Sequence, residues 1–298
     1  MTLNVEERTL PLEASGEPRS ERHEPAPTLV IQPAGRWPTI NLRELWAYRE
    51  LFFFLVWRDI KVRYAQTVLG AVWAILQPVL QMLILTVIFG TFMKVPSDGI
   101  PYPIFTLSAL VPWTFFSNAL TTSSSSLVSN PELISKIYFP RLVIPFAPVM
   151  AALLDFVIAF VVLLVMMPFF GVTPHAEAIV IVPLLLVLIV MTAAGVGCWL
   201  SALNIQYRDV KQITPLLMKI WMYGSPIIYS LTIVPERFRS FYSLNPMAGV
   251  ITGFRSVLVG DGVIPWGPVG IAAVVASVLL VTGALYFRRT ERIFADVI

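Results

Sequence analysis

The sequence predicts an all-α integral membrane protein, on three observations. Hydrophobic residues make up 57% of the 298 and charged residues only 13%, whereas a water-soluble chain carries about a quarter charged residues. The mean hydropathy is +0.77. The apolar residues also run in stretches long enough to cross hydrocarbon, rather than being scattered.

Residues 1–36 are rich in Glu, Pro and Arg and lack the apolar core of a signal peptide. They cannot bury enough surface to fold and are expected to form a disordered cytoplasmic tail, leaving 37–298 as the transmembrane domain. Asn41 followed by Glu44 can cap a helix. Over Leu45 to Ile60, Trp46, Tyr48, Phe52, Phe53, Phe54 and Trp57 alternate with Arg43, Glu44, Arg49, Glu50, Arg58 and Asp59. The charges are too frequent for a span, and the rings suit the headgroup boundary. The stretch reads as an amphipathic interfacial helix, with a cytoplasmic globular helix as the alternative.

Six spans follow, at about 68–92, 104–126, 143–170, 178–203, 212–231 and 266–287. The second is the least apolar and ends in the hydroxyl run Thr121–Ser126, which a membrane helix tolerates by bonding back to its backbone or across to a neighbour. Prolines recur at 78, 112, 145, 148, 168, 183, 215 and 226, so neighbouring helices or a wet cavity must satisfy the carbonyls they free. One side carries Arg58, Lys61, Arg63, Lys136, Arg141, Arg208, Lys211, Arg288, Arg289 and Arg292; the other carries Lys94, Arg237, Arg239 and Arg255. Basic loops stay inside, which puts both termini in the cytoplasm, in agreement with an even number of spans. Residues 232–265 are too long for a turn and hold Pro235, Asn245–Pro246 and the apolar stretch Met247–Val259. They read as short re-entrant gate helices at the outer surface.

Several chemistries find no support in the sequence. No Gly-x-x-x-x-Gly-Lys phosphate loop and no GxGxxG turn is present. His23 and His175 are too far apart to read as a metal pair. The single cysteine, Cys198, excludes an intramolecular disulfide and reads as a small packed residue. A net charge of +3 reflects basic cytoplasmic loops rather than nucleic-acid binding. The chain is therefore expected to be no enzyme, to hold no cofactor, and to draw energy from a partner or an ion gradient.

Two ionisable residues fall inside predicted spans, Asp155 and Lys219. At 1.5 Å per residue they lie roughly 12 Å and 10 Å deep. Matching depths make an ion pair the expectation, since such residues pair or face water; the alternative is that Lys219 snorkels to the cytoplasmic headgroups while Asp155 hydrogen-bonds a neighbour.

Three segments carry a specific resemblance. Arg58-Asp-Ile-Lys-Val-Arg-Tyr-Ala-Gln-Thr-Val-Leu-Gly-Ala-Val-Trp-Ala-Ile-Leu-Gln-Pro78 resembles the entry signature of ABC-2 type permeases that export polysaccharides such as O-antigen, capsule and teichoic acid. Asn204-Ile-Gln-Tyr-Arg-Asp-Val210 with Gly224-Ser-Pro-Ile-Ile-Tyr229 is similar to that family's fourth-to-fifth helix region. Leu244-Asn-Pro246 with Arg255 is similar to its outer gate segment. The likeness covers roughly residues 40–298.

The resemblance implies a homodimer in the cell (inner) membrane, paired with two copies of a separate ATPase subunit that binds ATP and magnesium. Its substrate would be a lipid-linked polysaccharide. It also implies a cytoplasmic coupling helix at Asn130-Pro-Glu-Leu-Ile-Ser-Lys-Ile-Tyr138. Pro131 and Glu132 suit a first helical turn. Leu133, Ile134, Ile137 and Tyr138 form an apolar face beside Lys136, and an ordinary surface loop is the plain alternative. Aromatic residues Tyr102, Trp113, Phe115, Phe116, Trp221, Tyr223 and Tyr229 are pore candidates, because sugar C–H faces stack on rings; interfacial or lipid-facing positions are the usual alternative. Export of a drug or small lipid, and proton-driven secondary transport, are the competing functions. The lone acidic residue in the spans and the lack of a visible inverted repeat argue against the latter.

Overall fold

The computed structural model describes residues 42–65, 72–136, 139–207, 209–291 and 294, and the tail expected over residues 1–36 lies outside them. The aromatic stretch forms two helices, α1 (Leu42–Ala47) and α2 (Arg49–Tyr64). Leu55 is buried in an apolar cluster with Leu142, Val143 and Ile144, and Leu51, Phe52 and Val56 pack against it. Phe53, Phe54 and Trp57 stay exposed on the other side. The expectation of a simple amphipathic helix is thus corrected. Apolar residues occupy both faces because one must pack on the bundle while the other is free to meet a lipid boundary.

Among the described residues, five helices are long and apolar enough to cross a membrane. They are α3 (Val72–Leu85) with its π-helical continuation Thr86–Phe92, α4 (Tyr102–Ser125), α6 and α7 (Val143–Ala151 and Leu153–Met166, together with a 3₁₀ turn to Phe170), α8 (Ala178–Gln206) and α12 (Trp266–Thr290). Between α4 and α6 lies the short α5 (Pro131–Lys136). The helix α4 stands at the centre, touching α3, α6, α7, α8, α9 (Val210–Tyr223) and α11 (Pro246–Leu258). Close helix crossings rest on small residues, as in membrane bundles generally. A Cβ at Gly197 on α8 would come within 2.8 Å of the Ser123 Cβ on α4, and Gly195 and Gly283 bring the α8 and α12 backbones together.

The helix expected over 212–231 is shorter: α9 ends at Tyr223, about 21 Å at the standard rise. Gly224 and Pro226 stop it rather than bend it, since proline cannot supply the next backbone donor. The chain nevertheless runs beside α4. Trp221 meets Phe116 edge-on at 5.0 Å near the middle of α4, and the Tyr102 hydroxyl at one end of α4 donates to Ile228 O (2.7 Å). The segment beyond holds two helices, α10 (Glu236–Tyr242) and α11. Most of α11 is buried against α12, α8 and α4.

One apolar cluster joins Leu55, Leu127, Phe139, Ile205, Phe287 and Phe294. The ends of α2, α4, α8 and α12 therefore meet at one end of the bundle. Arg58, Lys61, Arg63, Arg141, Arg288 and Arg289 cluster there in sequence with those ends. Arg141 is fixed to the last turn, its guanidinium donating to Glu291 O (2.9 Å), and Arg288 pairs with Glu291 (3.2 Å). At the other end, Asp98 accepts from the hydroxyls of Ser230 and Thr232.

Candidate functional site

The helix α4 has one open stripe. Apart from Pro103, its residues that are not buried are Thr114, Ser117, Asn118, Thr121, Thr122 and Ser125. Their spacing of three and four residues puts them on one face. Every one carries a hydroxyl or an amide, although the rest of the helix is mostly apolar. Two cavities open along this stripe. The first, about 590 Å³, lies among α3, α4, α7 and the end of α2; the second, about 240 Å³, lies among α3, α4 and α9. Gln77, Thr114, Asn118 and Thr121 border both.

Thr122 and Ser125 turn their hydroxyls back to α4 carbonyls, Thr122 to Asn118 O at 2.7 Å and Ser125 to Thr122 O at 3.2 Å. The side chains of Gln77, Ser117, Asn118 and Thr121 make no such bonds among the described residues. The Thr114 hydroxyl is buried with no partner there either. Buried polar groups are nearly always satisfied; the Thr114 hydroxyl is an exception, and the other four side chains open onto the two cavities. The spacing 114, 117/118, 121 was the signal available in the sequence, where only the later Thr121–Ser126 run stood out.

Opposite charges flank the stripe. Asp155 borders the first cavity, where its carboxylate accepts from the Arg63 guanidinium and the Tyr64 hydroxyl. Lys219 borders the second, exposed on α9. The expected Asp155–Lys219 ion pair is therefore corrected. Depth along the helices matches, but α7 turns Asp155 toward the end of α2, and an arginine there supplies the cation. No ion pair to Lys219 occurs among the described residues.

The aromatic candidates divide. Phe115 borders the first cavity and Trp113 the second. Tyr102 and Phe116 are buried in the core. The Trp221 indole N–H donates to Asn245 Oδ1 (2.8 Å), Tyr223 is exposed, and the Tyr229 and Tyr242 hydroxyls share a hydrogen bond of 2.8 Å. Asn245 ties the break after α9 to α11. Its Oδ1 also caps α11 by accepting from Met247 N (3.0 Å), while its amide donates to Gly224 O and Ser225 Oγ, each at 3.0 Å. Arg255 is buried, lies 3.6 Å over the Phe105 ring and donates to Pro226 O at 2.8 Å. The last carbonyls of α9 are satisfied locally, Trp221 O by Ser225 Oγ (2.8 Å) and Tyr223 O by the Tyr229 hydroxyl (3.1 Å), while Asn245 and Arg255 hold Gly224 O and Pro226 O in the break beyond, a role that sequence reasoning did not assign them.

On α5, Pro131 and Glu132 are exposed and Leu133 packs partly against the chain's own cluster around Leu55. Ile134 and Lys136 belong to the α5 backbone with side chains outside the described residues; Ile137 and Tyr138 lie wholly outside them.

A membrane bundle with a polar stripe, no phosphate loop and a short helix after its second span fits a transport subunit. Comparison with known proteins agrees. The chain is 31% identical over 258 residues to the O-antigen export system permease protein RfbA of Myxococcus xanthus, covering 86% of this chain and 98% of that one. It is 30% identical to the corresponding permease of Klebsiella pneumoniae, covering 84% and 95%. It is also 26% identical to the polysialic acid transport protein KpsM of Escherichia coli, covering 78% and 91%. Residues 50–259 match the ABC-2 type transporter family, and with so much of the bundle inside that match, the chain belongs to this family.

Proposed function

We propose that this chain is the permease subunit of an ABC exporter that carries a lipid-linked polysaccharide across the cell membrane. The observation that carries the reading is the open polar stripe of α4 inside an otherwise apolar bundle. The relatives named for O-antigen and polysialic acid transport support the same substrate class. A drug or small lipid calls for an apolar pocket, whereas hydroxyl and amide groups in a row suit a chain of sugars.

In this reading two copies form the exporter, each with a separate ATPase subunit that binds ATP and magnesium. The segment 210–228 makes the sixth crossing, part helix and part turn, so both termini face the cytoplasm. The short α5 and the residues after it press against the ATPase. Rings near the outer end, Tyr229 and Tyr242 among them, meet the emerging chain. Deleting the gene should abolish surface polysaccharide and leave lipid-linked glycan inside the cell, with both reversed on complementation. Unchanged surface glycan in the deletion strain would refute the reading.

A further inference from the structure

We infer that Gln77, Thr114, Ser117, Asn118 and Thr121 form a hydrogen-bonding track along which the hydroxyls of an uncharged stretch of glycan pass. The inference rests on the export reading above and assigns its substrate contact to named side chains.

Three observations carry it. These residues form the open face of the central helix and the one residue of α3 opposite it that borders both cavities. Their side-chain groups have no hydrogen-bond partner among the described residues, and the Thr114 hydroxyl is buried in that state. They are neutral amides and hydroxyls, able both to donate and to accept. A sugar hydroxyl needs that dual capacity, and a lipid tail can use none of it. Neutral hydrogen bonds are each worth little net, so a polymer can exchange one for the next without being trapped. A fixed charge in the track would bind more tightly, and the structure keeps the charges of Asp155 and Lys219 to its flanks.

The native cysteine makes the test direct. Cys198 is fully buried and is the single cysteine of the chain, so Cys198→Ala gives a cysteine-free background. In full-length chain with its ATPase, Asn118→Cys and Thr121→Cys should react with a charged, membrane-impermeant methanethiosulfonate. Val161→Cys, on the exposed apolar face of α7, should not. In membranes from cells making the glycan, labelling at 118 and 121 should slow relative to cells lacking its first glycosyltransferase, because glycan in the track shields the thiol. Asn118→Leu and Gln77→Leu should each lower export about fivefold, the loss of one neutral contact, with unchanged yield and ATPase co-purification.

Labelling at 118 no faster than at 161, or labelling indifferent to the glycan, would overturn the track. If gene deletion abolishes export while these variants behave as wild type, the track fails and the export reading stands. If deletion leaves export intact, the export reading itself falls.

Discussion

The spans α4 and α7 lie side by side and obey opposite rules. The apolar window of α4 has a mean hydropathy of 1.2 and is 78% buried within the chain; that of the α6–α7 span has 2.9 and is 33% buried. In water the more apolar segment would be the more buried. In a bilayer the lipid is as apolar as leucine, so hydropathy rises on helices whose faces meet lipid. A helix surrounded by protein can carry the hydroxyls and amides, because neighbours or a wet cavity receive them. The weakest span by hydropathy is therefore the centre of the structure, while the α6–α7 span, which shares the highest value with α8, leaves most of its window open.

The largest test of that contrast is the α4–α8 contact. Gly197→Val would drive new methyl groups into Ser123, whose hydroxyl is held by Pro145 O at 2.7 Å. Neither helix can yield cheaply, and overpacking of this kind costs about 3 kcal/mol. Val165→Leu, on the exposed face of α7, should change stability by less than about 0.5 kcal/mol. Thermal unfolding of purified chain in one detergent reads both. Similar losses at the two sites would mean that the exposed face of α7 is packed in the assembled protein.

Much of this arrangement was legible in the sequence, and the misreadings share a cause. Composition and runs of apolar residues located the long helices, because length and hydropathy are local properties. Depth was estimated from helix rise alone, which is why Asp155 and Lys219 looked like partners. Which neighbour a side chain faces depends on helix rotation and packing order, and these are not local. Gly224 and Pro226 signalled an interruption, but whether a helix bends or stops depends on what satisfies its last carbonyls. Here Ser225 and Tyr229 take carbonyls of the last turn, and Asn245 and Arg255, more than 20 residues downstream, hold the carbonyls of the break itself.

The next effect in size concerns the charge on α7. Asp155→Ala leaves the partly buried Arg63 without its carboxylate and should cost about 2 kcal/mol, below the value for a fully buried pair because both groups keep some solvent. A double-mutant cycle with Arg63→Ala should show coupling above about 1 kcal/mol, while the cycle with Lys219→Ala should be additive within about 0.5 kcal/mol. Coupling to Lys219 instead would restore the pairing inferred from depth.

A smaller loss is expected where α9 stops. Asn245→Ala removes the α11 cap and frees the Trp221 indole and the Gly224 carbonyl. A cap is worth about 1 kcal/mol, and the partly exposed groups it frees can find water. Asn245→Asp keeps the acceptor for Met247 and Trp221 but loses the donor to Gly224, so it should retain more stability than the alanine variant. Equal losses would show that the Gly224 bond, not the cap, matters most.

The smallest effect is predicted at Lys219, and it separates the two flanks of the stripe. Lys219 is exposed on α9, borders the smaller cavity beside Gln81 and Ser117, and has no ion pair among the described residues. Lys219→Met therefore leaves no opposite charge behind, and methionine keeps the length of the apolar stem. Stability in detergent should move by less than about 0.5 kcal/mol, as for other sites without a named partner. Asp155 differs because its removal strands a cation already placed. Were Lys219→Met to cost as much as Asp155→Ala, the lysine would have a carboxylate partner in the assembled exporter. A cross-copy cycle in which Lys219→Met and removal of one acidic residue are not additive would identify that partner, and the two flanks would then be alike.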